Sequence, residues 1–125
     1  MKKFSKEEDV GIVQAWINVT TDPLYSGKPP NCFWSNIFDI FDTLTGNEKY
    51  RTKKDVQNRF HRINKEVETF VVFQADVNIR NPSMAYEERQ ITARLEYYHE
   101  TGNDFEYEEC YEIFKSNLAH YNPDE

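Results

Sequence analysis

A run of basic, amide and imidazole side chains between positions 51 and 65 has the chemistry to bind a polyanion. The run reads RTKKDVQNRFHRINK. At helical spacing, four of its residues share one stripe: Lys54, Asn58, His61 and Lys65. Lysine and arginine neutralise phosphates and release counterions, while amide and guanidinium groups can meet base edges in a major groove. The pattern therefore predicts a helix face that contacts duplex DNA.

The predicted DNA contacts fall into two sets by side-chain position. The residues expected to contact the duplex most directly are Lys53, Lys54, Gln57, Asn58, His61 and Arg62. Those expected to lie on phosphates are Arg51, Arg59 and Lys65. A structural alternative explains the same pattern. In that case the run is a solvated helix face whose cations pair with the acidic C-terminal half of the chain.

The charge of this run is opposite to that of the rest of the chain. The chain has 125 residues and a net charge of −7. The 17 residues from Lys49 to Lys65 hold seven of the fifteen Lys and Arg residues and one acid, Asp55, which gives a charge of +6. Residues 66–125 hold four basic and fourteen acidic residues, which gives −10. Such asymmetry indicates two surfaces with different partners.

Catalytic and metal chemistry has little support in the sequence. His61, His99 and His120 lie far apart, without an HExxH or paired-cysteine spacing. Cys110 falls in an aromatic-rich amphipathic segment, which favours a core cysteine over a nucleophile. The four glycines are scattered singly, so no phosphate-binding loop is predicted. We expect no catalytic site, no metal site and no cofactor.

Two helices are predicted ahead of the basic run, because apolar residues recur there at helical spacing. Ser5 and Glu8 form a predicted capping box at the first helix. Its apolar face is Val10, Val13, Trp16 and Ile17. Asn31 is the predicted N-cap of the second helix, which Gly46 ends. The apolar stripe of this second helix is Trp34, Ile37, Phe38, Phe41 and Leu44.

Three further helices are predicted, and the chain is expected to be all-α. The third helix runs from about Thr52 to Val77, with an apolar face of Val56, Phe60, Ile63, Val67, Phe70 and Phe73 or Gln74. The fourth runs from about Met84 to His99 and turns Ile91, Leu95 and Tyr98 inward. The fifth runs from about Phe105 to Leu118, with Asp104 as its cap. Its predicted packed residues are Tyr107, Tyr111, Phe114 and Leu118.

The length and composition predict one domain over residues 1–125. The first eleven residues, MKKFSKEEDVG, lack an apolar core of the kind found in signal peptides. No apolar run approaches the roughly 20 residues that a membrane span needs. Two cysteines are too few for a disulfide framework. We therefore expect an intracellular protein that does not enter the membrane.

Three segments in order along the chain carry a family resemblance. They read FSKEEDVGIVQAWINVTTDP, FWSNIFDIF and RTKKDVQNRFHRINKEV. Together they resemble a Myb/SANT-type domain of the branch found in plant Myb-like, transposon-associated proteins. The later FQADVNIRNPSMAYEERQITARLEYYHETGNDFEYEECYEIFK is similar to the extension of that branch. The likeness covers roughly positions 3–116.

The resemblance implies a three-helix helix-turn-helix unit over about 4–77, with a long third helix that reads DNA. A helical acidic extension with two more helices follows over 78–125. Trp16, Trp34 and Phe60 fill the positions of the three core tryptophans of Myb units, with a wider second spacing that implies a longer turn between helices two and three. The implied function is nuclear DNA binding, with recruitment of a protein partner such as a transposase or a transcription regulator.

Four glutamates are candidates for that partner's contact surface: Glu106, Glu108, Glu109 and Glu112. They lie at or near the start of the fifth helix, where the helix dipole favours negative charge, and this alone could explain them. The functional alternative is a docking surface for a basic partner.

Two other functions are compatible with the sequence. One is a SANT-type protein-interaction domain that binds a basic partner or histone tail through its acidic half, without DNA. The other is a dimerising cofactor that contributes one DNA half-site to a larger complex. The protein-interaction function would be favoured over DNA binding if glutamates of the fourth and fifth helices paired with Arg59, Arg62 and Lys65. The DNA target, the partner and the oligomeric state are left open.

Overall fold

The computed structural model describes residues 3–23, 30–118 and 121, and it is helical. Five helices follow in order: α1 (Lys6–Thr21), α2 (Pro30–Thr45), α3 (Lys53–Arg80), α4 (Tyr86–Thr101) and α5 (Glu108–Asn117). The described residues include no strand. The predicted all-α class is therefore confirmed.

Reciprocal side-chain caps set the starts of α1 and α3. The Ser5 hydroxyl accepts from the Glu8 N–H at 3.1 Å, and the Ser5 N–H donates to the Glu8 carboxylate at 3.0 Å, which confirms the predicted capping box. Thr52 and Asp55 repeat the exchange ahead of α3, at 2.9 and 3.1 Å. The backbone hydrogen bond from Thr52 lowers the pKa of Asp55. The single acid of the basic run is thus occupied in a helix cap.

The starts of α2 and α5 differ from the prediction. α2 begins at Pro30, so Asn31 lies inside the helix and is not its N-cap. Proline suits a first helical position because its φ is already helical and its missing N–H has no partner to lose. α5 begins at Glu108 with Tyr107 at its N-cap, so Asp104 does not cap it. Residues 104–107 have no helical structure.

The chain divides into two compact units, Met1–Ile63 and Asn64–Glu125. α3 runs through the division and contributes residues to both units. The three-helix unit predicted over about 4–77 therefore includes residues of both compact units. Its third helix, α3, continues without a break to Arg80.

In the first unit, α1 approaches α2 closely at Gly11. A Cβ atom at Gly11 would lie 2.6 Å from the Thr45 methyl group, so no side chain fits there without a shift. The buried apolar residues of the first unit are Ile12, Val13, Ala15, Ile17, Val19, Ile37, Phe41, Val56, Phe60 and Ile63. Leu44 was predicted to face inward, but 51% of it is exposed.

Three aromatic rings join the helices of the first unit. Trp16 stacks on Phe60 with 4.9 Å between ring centroids, and Trp34 meets the same ring edge-on at 5.5 Å. Because Phe60 is buried on the inner face of α3, these contacts orient the opposite face of that helix toward solvent.

In the second unit the core is an aromatic cluster around Phe70. Phe105 stacks on Phe70 at 4.2 Å, and this contact holds the segment before α5 against the core. Tyr97 of α4 and Tyr111 of α5 meet Phe70 edge-on at 6.0 and 5.3 Å. Cys110 of α5 is buried, as predicted for a core cysteine.

The predicted inner face of α4 is wrong. Ile91, Leu95 and Tyr98 are 54%, 56% and 48% exposed. α4 instead buries Ala93 and Tyr97. The Tyr97 ring lies 6.0 Å from Phe70 and 5.5 Å from Phe105, and such aromatic packing outweighs the aliphatic stripe as the choice of inner face. None of the described helices is long and apolar enough to cross a bilayer.

Candidate nucleic-acid interface

The first three turns of α3 carry the candidate interface. Val56, Phe60 and Ile63 are buried on the inner face of the helix. The outer face is exposed at Lys53, Lys54, Asn58, His61 and Arg62, while Gln57 is half-buried. The amphipathic pattern therefore presents the predicted basic and amide side chains to solvent.

The lysines of this face differ in their contacts. Lys53 places its ammonium 3.4 Å from the Ser35 hydroxyl of α2. Lys54 is exposed and makes no ion pair with any residue that the structure describes. Lys65, which lies on the same helix but belongs to the second unit, is likewise exposed and without an ion pair among the described residues. These ammonium groups remain able to neutralise phosphates.

His61 is positioned by an aromatic neighbour. Its ring centroid lies 5.6 Å from that of Trp34 and 5.9 Å from that of Phe60, both edge-on. The imidazole is itself exposed. It is therefore a hydrogen-bonding group whose ring is packed against α2 while its edge can contact a ligand.

Arg51 is buried, with only 5% of the residue exposed, so its side chain is not placed to contact a phosphate. Its guanidinium donates to both Glu8 carboxylate oxygens, at 2.8 and 3.1 Å, and to the Lys3 carbonyl at 2.9 Å. The Phe4 ring lies 3.9 Å from the guanidinium carbon. This side chain joins the start of α3 to the start of α1, and its burial rules out the predicted phosphate contact in this conformation.

Arg59 also pairs with an acid of α1. Its guanidinium donates to both Asp9 carboxylate oxygens, at 2.8 and 3.0 Å, and the side chain is half-buried. The acid in this ion pair thus belongs to the first helix. The charge of Arg59 is largely neutralised within the first unit, which weakens its case as a phosphate contact.

The two acids of this network respond differently to burial. Burial acts to raise the pKa of Glu8, but hydrogen bonds from Arg51 and Ser5 outweigh it and lower the pKa to about 2. Burial raises the pKa of Asp9 despite the hydrogen bonds from Arg59. Glu8 is therefore a firmly ionised partner for Arg51, with the Lys49 ammonium 3.4 Å away.

The predicted partner-binding glutamates Glu106, Glu108, Glu109 and Glu112 are all exposed. Glu108 pairs with Arg94 of α4, and Glu112 lies 3.7 Å from the Lys115 ammonium. Glu108 and Glu109 occupy the first turn of α5, as the helix dipole favours. The structure thus supplies local roles for part of this acidic set.

Sequence patterns missed Tyr50, which precedes Arg51. Its backbone φ is +55° and 89% of the residue is exposed. A tyrosine rarely adopts this conformation, and no sequence signal pointed to it. Asn47 also has a positive φ. Two hydrogen bonds between its side chain and the Arg51 backbone stabilise that conformation. The turn before α3 therefore carries an exposed aromatic side chain.

Within the described part of the chain, no group of three or more His, Cys, Asp or Glu side chains is placed to hold a metal ion. Comparisons of the chain with protein-family models, with curated proteins and with solved structures returned no significant match.

Proposed function

We propose that this chain is a nuclear DNA-binding module that uses the outer face of α3 to contact duplex DNA. The observation that carries the proposal is the composition of that face. It combines exposed lysines and an arginine with amide and imidazole groups, and the one acid of the run is bound in a cap. Cations for phosphates and amides for base edges are the two components that duplex recognition needs.

The dimensions of a helix suit this role. An α-helix with its side chains is about 10–12 Å wide, and the major groove is about 12 Å wide. In the proposed mode, Asn58 and Gln57 meet base edges, since amides pair well with adenine. Lys53, Lys54 and Arg62 lie on the flanking phosphates, and Lys65 continues the contacts along the helix. Tyr50, projecting from the preceding turn, contacts the sugar-phosphate backbone.

We further propose a Myb/SANT-like helix-turn-helix arrangement for the first unit. Support comes from the ring contacts of Trp16 and Trp34 with Phe60, which bring the three expected aromatic positions together. Arg51 and Arg59 support it indirectly, because their ion pairs with α1 fix the orientation of α3. In such a unit, a fixed third helix is the part that reads DNA.

The proposal is tested by neutralising two exposed cations of α3. We expect Lys54→Ala combined with Arg62→Ala to abolish binding of a labelled mixed-sequence duplex, measured by fluorescence anisotropy at low salt. Circular dichroism should show unchanged helicity, since both side chains are exposed. The matched control is Lys3→Ala with Lys6→Ala, two exposed lysines at the start of the chain that change the net charge equally. Equal binding by the two double variants would contradict the choice of helix.

A further inference from the structure

The outward face of α4 presents an apolar stripe that is exposed in the part of the chain that the structure describes. Ile91, Leu95 and Tyr98 follow one another at steps of four and three residues, so they share one side of the helix over about 10 Å. Each is about half exposed. Scattered exposed apolar residues are ordinary, but a contiguous stripe rimmed by polar residues is typical of a protein interaction surface.

The residues around this stripe are acidic or neutralised. Glu87 and Glu88 lie four and three residues before Ile91, on the same side of α4, and both are exposed. Neither makes an ion pair with a residue that the structure describes. The neighbouring cation, Arg94, is bound by Glu108. The rim of the stripe is therefore net negative, within a C-terminal half that carries −10 over residues 66–125.

We infer that α4 is the docking surface for an amphipathic helix of a partner protein whose apolar stripe is flanked by lysine or arginine. The partner's apolar residues at i, i+4 and i+7 would lie along Ile91, Leu95 and Tyr98, as in other helix-in-groove and helix-on-helix recognition. Its cations would pair with Glu87 and Glu88. The interaction does not depend on DNA binding by α3.

A second copy of this chain is a less suitable occupant. Pairing two α4 stripes antiparallel would bring two acidic rims together, and like charges across an interface cost free energy. A basic partner instead neutralises the rim. Charge complementarity therefore selects a different protein with a basic flank.

The test uses the full-length chain and an 18-residue synthetic helical peptide with leucines at i, i+4, i+7 and i+11 and lysines beside them. A second peptide carries glutamate in place of each lysine. Fluorescence anisotropy of the labelled peptides measures binding. We expect the lysine peptide to bind, the glutamate peptide to bind at least tenfold more weakly, and Leu95→Glu to weaken the lysine peptide at least tenfold.

Val72→Glu is the matched control, because Val72 is an exposed apolar residue of α3 in the same unit and the substitution adds the same charge. It should leave the affinity of the lysine peptide within about twofold. Circular dichroism confirms that both variants fold. No binding of the lysine peptide, equal binding of the two peptides, or equal effects of the two substitutions would overturn the inference. So would a dimer in sedimentation that Leu95→Glu dissociates, since a second copy would then be the occupant.

Discussion

At the scale of single residues, the ion pair between Arg51 and Glu8 connects the start of α3 to the start of α1. Both side chains are almost fully buried, and the guanidinium is held by two carboxylate oxygens, a carbonyl and the Phe4 ring. Removing one member of a buried pair leaves the other charge without compensation. Arg51 thus has a structural role just before the proposed reading helix, and its basic character alone did not predict that role.

Arg51→Ala should lower the free energy of unfolding by about 3 kcal/mol, because Glu8 would remain buried with only the Lys49 ammonium and the Ser5 N–H as partners. Lys53→Ala, a control at an exposed position, should change it by less than about 0.5 kcal/mol. Urea denaturation followed by circular dichroism measures both. Equal effects would show that the buried pair does not stabilise the fold.

The same pair should make stability depend on pH. Because the pKa of Glu8 is about 2 in the folded chain and 4.5 ordinarily, its contribution is complete above pH 4.5 and is lost as the pH falls toward 2. Asp9, whose pKa burial raises, contributes with the opposite sign, so the comparison must isolate Glu8. The difference in unfolding free energy between wild type and Glu8→Gln should shrink from about pH 5 to about pH 3. A constant difference in urea melts would contradict the depressed pKa.

Tyr50 offers a prediction that separates stability from function. Glycine adopts a positive φ without steric cost, so Tyr50→Gly should raise the free energy of unfolding by up to about 1 kcal/mol. The same variant should weaken duplex binding, since it removes the proposed backbone contact. Thermal unfolding and anisotropy measure the two effects. Unchanged DNA affinity would remove Tyr50 from the proposed interface.

At the scale of helices, the contact between α1 and α2 is set by Gly11. In an open helix Gly→Ala adds about 1 kcal/mol of stability. Here the new methyl would meet the Thr45 methyl at 2.6 Å. The Thr45 hydroxyl is hydrogen-bonded to the Phe41 carbonyl at 2.8 Å, so the side chain cannot rotate away cheaply. The packing of these two helices therefore depends on the absence of a side chain at one position.

Gly11→Ala should lower the free energy of unfolding by about 1–2 kcal/mol, because overpacking outweighs the gain in helix propensity. Adding Thr45→Ser, which removes the clashing methyl and keeps the hydroxyl, should recover most of the loss. Urea denaturation of the single and double variants measures the recovery. A stabilised Gly11→Ala chain would mean that α1 and α2 do not approach this closely.

The helices also show which parts of the fold their sequences could predict. The Ser5–Glu8 capping box and the apolar face of α3 follow from local spacing, and both are confirmed. The buried face of α4 does not follow from local spacing. The helix has two apolar faces, and the buried one is the face on which Tyr97 packs against Phe70. Long-range packing of this kind has no signature within a single helix.

The same distinction applies to the candidate site. Exposure of Lys53, Lys54, Asn58, His61 and Arg62 followed from their position opposite the apolar face of α3. The burial of Arg51 did not, because its partner Glu8 lies 43 residues away in sequence. Local spacing thus predicts which helix face is polar, while ion pairs between distant residues decide which cations remain exposed.

At the scale of the whole molecule, charge is segregated along the sequence. The segment 49–65 carries +6 and residues 66–125 carry −10. An acidic chain repels DNA except where a basic face is presented, so this distribution would limit duplex contact to α3. It would also leave the acidic C-terminal half to bind a basic partner. The two surfaces proposed here, on α3 and on α4, differ accordingly in the sign of the ligand that each attracts.

The dependence of duplex affinity on salt tests the central claim most directly. If the four cations that the proposed mode places on phosphates, Lys53, Lys54, Arg62 and Lys65, each neutralise one, a plot of log affinity against log salt should have a slope of about −3.6. The Lys3→Ala, Lys6→Ala control should keep that slope. A flat response, or no duplex binding at low salt, would contradict a nucleic-acid role for this face.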